Sequence, residues 1–369
     1  MTGTMRAARM HDVGAPMTIE TVPIPVPDSL DVLVRVHACN VVPNLGNMLK
    51  NWTSWFPHMP LPPLPATFGL DATGEIVEVG RAVSGLRVGQ RVYLNPGRSC
   101  GSCRACRAND PIAYTDFVLQ GYFGYNENAH RSFGRWPFGG LGEYMTAPAA
   151  ACVTLPDNVG YREAARFGYL GTGYSALRKG GCAPGKTLLV NGASGTLGLG
   201  VVLIALGLGA TRILAVARDK SLLAEVEALA PRRIATFSTA DGPVGPWAAA
   251  RTDGEGVDLV VDCLGPGTQG RYVADAIGTL RRGGVAVNIG AVAEMLPINI
   301  NHMMNSNQTF IGSVWFTTGE GQAMADMARV GTLDMSVFRQ RSVPLDEVNT
   351  VLAGIENRHG GFSNFTVCP

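Results

Sequence analysis

The sequence predicts an α/β protein in which a first region of short β-strands precedes a region built on a doubly wound parallel sheet. Up to about residue 160, polar and apolar positions alternate between turn residues, which is typical of antiparallel strands. Beyond that point, helical segments alternate with short apolar runs, the pattern of a parallel sheet covered by helices. Residues 186–218 form the clearest unit of this second pattern, and the other elements are interpreted around it.

Residues 186–218 are predicted to form a strand, a glycine-rich turn, a helix and a second strand. Apolar runs at 187–190 and 212–217 have the composition of strands buried on both faces. The turn consists of Ala193, Ser194, Gly195, Thr196, Leu197 and Gly198. Its glycines let the backbone approach a pyrophosphate, and the free N–H groups at the helix start attract the phosphate charge. The stretch therefore predicts a dinucleotide-binding unit.

A membrane span is the alternative interpretation of this stretch, because no charged residue lies between Lys186 and Arg212. However, several glycines together with Asn191, Ser194 and Thr196 interrupt the apolar run, and strand-forming residues bracket it on both sides. These interruptions favour the strand–turn–helix unit.

Further segments complete the two regions. Residues 5–37 indicate short antiparallel strands, and 71–79 and 89–94 continue them with glycines at the turns. Apolar runs at 258–263 and 285–289 are typical of parallel strands, and a terminal strand is expected at 365–368.

The composition favours a soluble enzyme with a small-molecule substrate. The chain has 369 residues, 46% hydrophobic and 16% charged, with a formal net charge of +1. This charge gives no electrostatic reason to expect nucleic acid or a membrane surface as a partner. No secretory signal is visible at the N-terminus, so the cytoplasm is the expected location. The eight cysteines include one cluster, which suggests thiols or a metal site rather than a disulfide framework.

Several short motifs together resemble those of the medium-chain dehydrogenase/reductase superfamily, which includes zinc alcohol dehydrogenases and quinone oxidoreductases. The motifs are residues 74–80, 89–92, 100–106, 140–144 and 172–174, the glycine turn, and Gly283 with Gly284. The resemblance covers nearly the whole chain. It implies a GroES-like, β-barrel-type catalytic domain at 1–165 and a Rossmann NAD(P)-binding domain at 166–315. It further implies a return of residues 316–369 to the first domain, with the active site in the cleft between the two.

The resemblance also implies where a catalytic zinc would be held. Zinc enzymes of this family use a cysteine, a histidine and a third ligand, usually another cysteine. The corresponding positions here are occupied by Val42, Leu70 and Gly168. None of these residues can bind zinc, so we predict that the catalytic zinc is absent. Nearby Cys39 is interpreted as a buried core thiol rather than a displaced ligand.

A second, structural zinc site of the family is only partly present. Cys100, Cys103 and Cys106 keep its C-x2-C-x2-C spacing, but Tyr114 stands where the fourth cysteine is expected. Such sites are normally closed by four ligands. Asp110 can in principle complete the set, and a relic lobe with three free thiols is the favoured alternative. A redox-sensing role is a further alternative, although only arginines mark the thiols as acidic.

Residues after the second strand of the dinucleotide unit favour NADP(H) over NAD(H). The acidic residue that binds the ribose of NAD is expected at Ala217, and Arg218 and Lys220 follow it. Two cationic side chains and no carboxylate at this position favour binding of the 2′-phosphate of NADP(H). Asp219 can serve the ribose instead, although capping of the next helix is the favoured role. The resemblance further assigns Thr172, Gly290, Ala291, Ser313 and Val314 to contacts with the nicotinamide end.

An aromatic segment is expected to wall the substrate pocket. Residues 44–65 contain Trp52, Trp55 and Phe56 and five prolines, and the aromatic loop 120–138 is expected to close the other side. Packing on a subunit surface is the alternative for the first segment. The candidate catalytic residues are Asn44, His58 and Tyr93.

These observations predict an NADPH-dependent, zinc-independent oxidoreductase that transfers hydride to an activated C=C of an apolar or aromatic unsaturated carbonyl or quinone. One alternative is an alcohol dehydrogenase or a carbonyl or imine reductase that uses a non-metal donor such as His58, Tyr93 or Tyr122. Another is a non-catalytic NADPH-binding redox sensor. Residues 309–316 match the edge strand through which family members pair their sheets, which suggests a homodimer.

Overall fold

A computed structural model describes residues 3–43, 45–355 and 358–369. The strands within these residues, numbered along the chain, are β1 (Thr4–Arg9), β2 (Thr18–Pro23), β3 (Asp31–Asn40), β4 (Asp71–Val79), β5 (Arg91–Leu94), β6 (Gly97–Arg98), β7 (Val118–Leu119), β8 (Phe123–Gly124), β9 (Tyr144–Pro148), β10 (Cys152–Thr154), β11 (Thr187–Asn191), β12 (Arg212–Ala217), β13 (Ile234–Ser238), β14 (Val257–Asp262), β15 (Leu280–Asn288), β16 (Thr309–Gly312), β17 (Arg339–Pro344) and β18 (Ser363–Cys368).

The helices are shorter in the first part of the chain than around the parallel sheet. They are α1 (Leu45–Lys50), α2 (Trp52–Trp55), α3 (Arg104–Arg107), α4 (His130–Arg135), α5 (Tyr161–Ala164), α6 (Phe167–Lys179), α7 (Thr196–Gly207), α8 (Lys220–Ala228), α9 (Val244–Ala250), α10 (Arg271–Ile277), α11 (Ile300–Asn305), α12 (Thr318–Arg329) and α13 (Val348–Gly354).

The second region is a six-stranded parallel sheet in the order β13-β12-β11-β14-β15-β16. The order reverses direction between β11 and β14, so the chain winds outward from β11 on both sides. Ligands of such sheets bind at this switch point, beyond the carboxyl ends of the strands. The predicted doubly wound parallel sheet is confirmed, and its central strands are apolar because helices cover both faces.

The first region is a mostly antiparallel seven-stranded sheet with small accessory sheets. Its main path runs β10-β5-β4-β3-β18-β17, and β9 also pairs with β3. The last strand, β18, pairs antiparallel with β3, and β17 pairs parallel with β18. The C-terminal segment therefore completes the first sheet after the chain has formed the second one.

The predicted edge strand is shorter than expected. β16 lies at the edge of the parallel sheet but ends at Gly312. Trp315 and Phe316 turn away from this edge, because the indole of Trp315 donates a hydrogen bond to Asn95 Oδ1 at 3.0 Å. Asn95 Nδ2 in turn donates to the Phe316 carbonyl at 3.1 Å. These bonds carry the chain back toward the first sheet.

The uncharged stretch after Lys186 forms the predicted strand, turn and helix. Most of α7 is buried, including Leu199, Val201 and Ile204, which explains why it carries no charge. Within the described ranges, no helix combines the length and apolar character that crossing a bilayer requires.

Candidate functional site

The glycine turn between β11 and α7 has the geometry of a phosphate cradle. Gly195 is the N-cap of α7, so the first amides of a twelve-residue helix point out of the turn. A Cβ at Gly198 would lie 2.1 Å from the Gly192 carbonyl oxygen, so the turn is too tight for any other residue there. The Thr196 hydroxyl has no hydrogen-bond partner among the described residues. An orphaned hydroxyl at a helix start fits a bound phosphate.

The remaining turn residues line this cradle. Ala193 and Ser194 are buried and Leu197 is half-buried. The backbone of the C-terminal segment contacts the turn, since the Gly361 amide donates to the Ser194 carbonyl at 2.8 Å. The buried Arg166 side chain links the same parts, because it donates to the carbonyls of Gly361 at 2.8 Å and Thr196 at 3.3 Å. The Arg166 side chain and the backbone of the C-terminal segment therefore hold the cradle in place.

The residues after β12 differ in how free they are to bind a phosphate. Arg218 is exposed, and its guanidinium has no hydrogen bond to any part of the chain that the structure describes. Lys220 forms an ion pair with Asp241 at 2.6 Å. Asp219 caps α8, accepting from the amides of Ser221 at 2.9 Å and Leu222 at 3.1 Å. The capping role expected for Asp219 is confirmed, and Ala217 offers no carboxylate beside it.

The residues assigned to the nicotinamide end lie at the carboxyl edge of the parallel sheet or on α6. Thr172 is buried, and its hydroxyl donates to the Gly168 carbonyl one turn earlier at 2.8 Å. The amides of Gly290 and Ala291 donate to the carbonyls of Asp262 and Leu264, at 3.0 and 2.8 Å. In a separate group, the Ser313 hydroxyl accepts from Lys179 at 2.9 Å, and Val314 is 41% exposed.

The positions expected for catalytic zinc ligands are apolar and do not fit a metal. Val42 and Leu70 line a small apolar cavity near the end of β3. A Cβ at Gly168 would lie 2.1 Å from Asp71 Oδ1, so the Asp71 carboxyl fills the space that a side chain at 168 would need. Among the residues that the structure describes, a cluster of metal-ligating side chains occurs only at Cys100, Cys103 and Cys106.

A buried carboxyl and a buried phenol lie behind this cavity. Tyr93 donates a hydrogen bond to Asp71 Oδ1 at 2.7 Å, and both side chains are fully buried. Burial raises the pKa of Asp71 to about 7, although the Tyr93 hydrogen bond and the Arg166 charge oppose this shift. Asp71 Oδ2 has no hydrogen-bond partner among the described residues. Asp71 was not among the predicted site residues. The one sequence feature that could have indicated it is a carboxylate at the start of an apolar strand.

Of the three predicted catalytic residues, the two that the structure describes, His58 and Tyr93, are not brought together. Tyr93 packs between Phe167 and Phe316, with ring centroids 5.6 and 6.3 Å away, and does not line the cavity. His58 is exposed on the loop after α2. Asn44 lies outside the described residues. Tyr122, named only as an alternative donor, does line the cavity, and burial raises its pKa.

The two aromatic segments meet beside Tyr122. Trp52 is buried, and its ring centroid lies 5.8 Å from that of Tyr122 and 5.0 Å from that of Phe123. The Trp52 indole donates to the Met59 carbonyl at 2.6 Å, which fixes the proline-rich loop against the helix. The predicted wall therefore packs directly on the loop expected to face it.

The cavity itself has one unsatisfied polar atom. Its volume is about 10 Å³, room for a single water molecule or hydroxyl oxygen, and its apolar lining includes Phe68 and Leu141. Asn40 also lines it and is 2% exposed, and Asn40 Oδ1 has no hydrogen-bond partner among the described residues. Leaving such a buried carbonyl unsatisfied costs about 1–3 kcal/mol. Sequence reasoning missed Asn40, whose only signal was a polar residue among apolar ones at a strand end.

The three-cysteine lobe brings its thiols together without a fourth ligand from the expected positions. The three sulfur atoms lie within 4.8 Å of one another. The Tyr114 hydroxyl donates to Asp116 at 3.1 Å, and Asp110 accepts from the Ala113 amide at 3.3 Å. Three thiols fit a thiophilic metal ion with one open coordination position.

Backbone amides, rather than arginines, mark one thiol of this lobe as acidic. Hydrogen bonds from Ser102 and Cys103 lower the pKa of Cys100 to about 6. Cys100 is exposed, so its thiolate is accessible. The expectation that only arginines mark these thiols is therefore wrong.

Comparison with known proteins agrees with this geometry. Residues 28–157 match the family described as "Alcohol dehydrogenase GroES-like domain", and residues 196–329 match the one described as "Zinc-binding dehydrogenase". The chain is 28% identical to the probable D-xylulose reductase A of Neosartorya fischeri, over 85% of this chain and 83% of that protein. It is 27% identical to an NAD-dependent alcohol dehydrogenase of Sulfurisphaera tokodaii, over 96% and 97% of the two chains.

A solved structure, that of AibC, superposes with a TM-score of 0.84 at 25% identity, covering 100% of this chain and 96% of that one. The two family matches and these relatives cover both sheets and the cradle between them. The GroES-like and Rossmann units that the motifs implied are therefore present. The chain belongs to the medium-chain dehydrogenase/reductase superfamily and is an NAD(P)-dependent oxidoreductase.

Proposed function

We propose that the protein is an NADPH-dependent reductase that transfers hydride to an activated C=C bond without a catalytic zinc. The substrate is an apolar or aromatic unsaturated carbonyl compound or quinone. The observation that carries this proposal is the chemistry of the three expected ligand positions, where Val42, Leu70 and Gly168 offer no metal-binding atom. A site without a Lewis acid favours a reaction whose developing negative charge hydrogen bonds can stabilise.

The cavity supplies a candidate for that hydrogen bond. When bound, the nicotinamide supplies a hydride. Tyr122 lines the cavity; its phenol is protonated at neutral pH, and burial raises its pKa further. A protonated phenol can donate to the oxygen of an enolate as negative charge develops there. The apolar lining and the packed aromatic segment around Trp52 bury this donor.

Arg218 supports the choice of NADPH. Its unpartnered guanidinium follows β12, where Ala217 offers no carboxylate to a ribose hydroxyl. Replacing Arg218 with Ala is expected to weaken NADPH binding about tenfold or more while leaving NADH binding unchanged, because only NADPH carries the 2′-phosphate. Lys220→Ala is the matched control, since its ammonium already pairs with Asp241. An equal loss for both cofactors in Arg218→Ala would contradict this role.

Reduction of a carbonyl is the second candidate function. It is favoured by the position of the Tyr122 phenol and by the names of the relatives, which refer to a xylulose reductase and an alcohol dehydrogenase. NADPH oxidation with matched enones and saturated ketones separates the two candidates. Reduction of the enones only supports the first proposal, and reduction of the ketones only supports the second.

The Tyr122→Phe variant tests the proposed donor in the same assay. It is expected to lower kcat by about 10²-fold or more with cofactor binding intact, since it removes one hydroxyl. Tight NADPH binding without turnover of either substrate class would indicate the redox-sensor alternative instead.

We also propose that the protein is a homodimer. β16 is the edge strand of the parallel sheet, and apolar side chains beside it are exposed. Ile300 is 79% and Met304 69% exposed on α11, and Met295 is 95% exposed just before it. An unprotected strand edge flanked by exposed apolar side chains is typical of a protein–protein contact.

A further inference from the structure

The turn that carries Cys100 directs a backbone amide at its sulfur. Gly101 follows with a φ of 73°, a conformation that favours glycine and lets the chain turn between Cys100 and Cys103. The Cys103 amide then donates to Cys100 Sγ at 3.3 Å. The sulfurs of Cys103 and Cys106 lie 3.5 Å apart, and all three sulfurs lie within 4.8 Å of one another. The backbone itself therefore holds three thiols at one point.

The spacing of the three sulfurs fits a single thiophilic ion. A metal–thiolate bond is about 2.3 Å long, so three sulfurs arranged in a plane around one ion lie about 4.0 Å apart. The 3.5 Å pair and the 4.8 Å limit bracket this value. Thiolate ligands select soft ions, because hard ions prefer oxygen. The lobe can therefore surround one soft ion without a large rearrangement.

A structural zinc ion requires a fourth ligand, which these residues do not provide. The cluster includes no histidine or carboxylate atom from the described part of the chain. Tyr114 stands at the expected position, but its phenol is protonated at neutral pH and donates to Asp116 at 3.1 Å. Burial, the Asp116 hydrogen bond and then the charges of Cys100 and Cys103 raise the pKa of Tyr114, which places its phenol beside these thiols. The closed tetrahedral zinc site of the family therefore does not fit this lobe.

The lobe opens onto a groove of about 1000 Å³. Cys100 and Cys106 line this groove. Cys100 is exposed and Cys103 is half-buried. An ion held by these sulfurs is therefore within reach of small chelators and carriers, unlike an ion that four protein ligands enclose.

We propose that the three cysteines form an exchangeable three-thiolate site for a soft ion of the Cu(I) type, in place of the structural zinc site of the family. Cu(I) binds three thiolates in a plane, whereas zinc favours four ligands at the corners of a tetrahedron. Residue 114 decides between the two ions, since a cysteine there supplies the fourth sulfur. None of these residues belongs to the glycine cradle or to the proposed reduction, so the inference does not depend on the reaction.

Metal titrations of wild type and Tyr114→Cys under anaerobic, reducing conditions test this assignment. Cu(I) is offered as its bicinchoninate complex, and zinc is offered in competition with EDTA. Wild type is expected to bind one Cu(I) per chain and to lose zinc to EDTA. Tyr114→Cys is expected to bind zinc about 100-fold or more tightly than wild type, because a fourth thiolate closes the tetrahedron. Tyr114→Phe is the matched control and is expected to leave both affinities unchanged, since it removes the hydroxyl without adding a ligand.

Removal of a ligand provides a second readout. Cys103→Ser is expected to weaken Cu(I) binding about 100-fold or more, whereas Cys182→Ser, outside the lobe, leaves it unchanged. The Tm and NADPH affinity of the metal-free variants show whether they fold, and Cys100→Ser, at an exposed position, makes the same test if Cys103→Ser does not fold. Wild type that retains zinc in EDTA, or Tyr114→Cys that gains no zinc affinity, would overturn the inference. Cu(I) binding that is insensitive to loss of a lobe cysteine would also overturn it, because the ion would then lie at other thiols.

Discussion

Replacing Asp71 with Asn tests the electrostatics of the buried pair behind the cavity. Burial raises the pKa of Asp71 from 3.8 to about 7, so the folded protein binds a proton there that the unfolded chain releases. Because the pKa of Asp71 is higher in the folded than in the unfolded protein, the free energy of unfolding decreases as the pH rises from about 4 to about 7. The variant cannot ionise, and its amide oxygen can still accept the Tyr93 hydrogen bond.

The size of the effect follows from the two pKa values. The raised pKa of Asp71 lowers the free energy of unfolding by roughly 2–3 kcal/mol between about pH 5 and about pH 8. Other groups titrate in this window, including Asp262, whose pKa burial raises to about 6. They are common to both proteins and cancel in the comparison.

Urea denaturation of wild type and Asp71→Asn at the two pH values measures this difference. We expect the free energy of unfolding of the variant, relative to wild type, to increase by roughly 2–3 kcal/mol between about pH 5 and about pH 8. Asp157→Asn, at an exposed position, is the control and is expected to show no such change. The reasoning is refuted if Asp71→Asn and wild type depend on pH in the same way.

Three further predictions concern the cradle, the edge strand and the cysteine lobe. Gly198→Ala is expected to lower the Tm and weaken NADPH binding about tenfold or more, because its Cβ would lie 2.1 Å from a carbonyl oxygen. Gly245→Ala, in open space on α9, is the control and is expected to leave NADPH binding unchanged and the Tm unchanged or slightly higher, because Ala favours a helix more than Gly does. Ile300→Glu is expected to convert the dimer to monomer in sedimentation, and a dimer that persists would contradict the proposed contact. In metal-free protein, Cys100 is expected to react with iodoacetamide with a midpoint at about pH 6, and a midpoint near that of an ordinary thiol would contradict the assigned pKa.

Features that depend on local sequence could be predicted well. The glycine turn, the strand 212–217 and the strand 71–79 were placed correctly because glycine spacing and apolar runs act within a few residues. The cap formed by Asp219 was likewise predicted, since a cap needs only its own helix. The edge strand was predicted too long, because bonds of Trp315 and Phe316 to the distant Asn95 determine where it ends.

Features that depend on contacts across the fold could not be predicted. Tyr93 was expected at the pocket, but the orientation of β5 directs its hydroxyl to Asp71. Asn40 meets Asn364 only because β18 returns to pair with β3, and nothing near residue 40 in the sequence indicates this. Likewise, only the fold shows that the Asp71 carboxyl occupies the space that a side chain at position 168 would need.

The most direct test of the central claim is NADPH oxidation by metal-depleted enzyme with an enone substrate. Protein is purified, treated exhaustively with EDTA and assayed, with residual zinc measured by mass spectrometry on the same sample. A rate equal to that of the untreated enzyme, with zinc well below one equivalent, is the result expected of a site built from Val42, Leu70 and Gly168. A rate that is lost with the metal and restored by added zinc would contradict zinc-independent reduction.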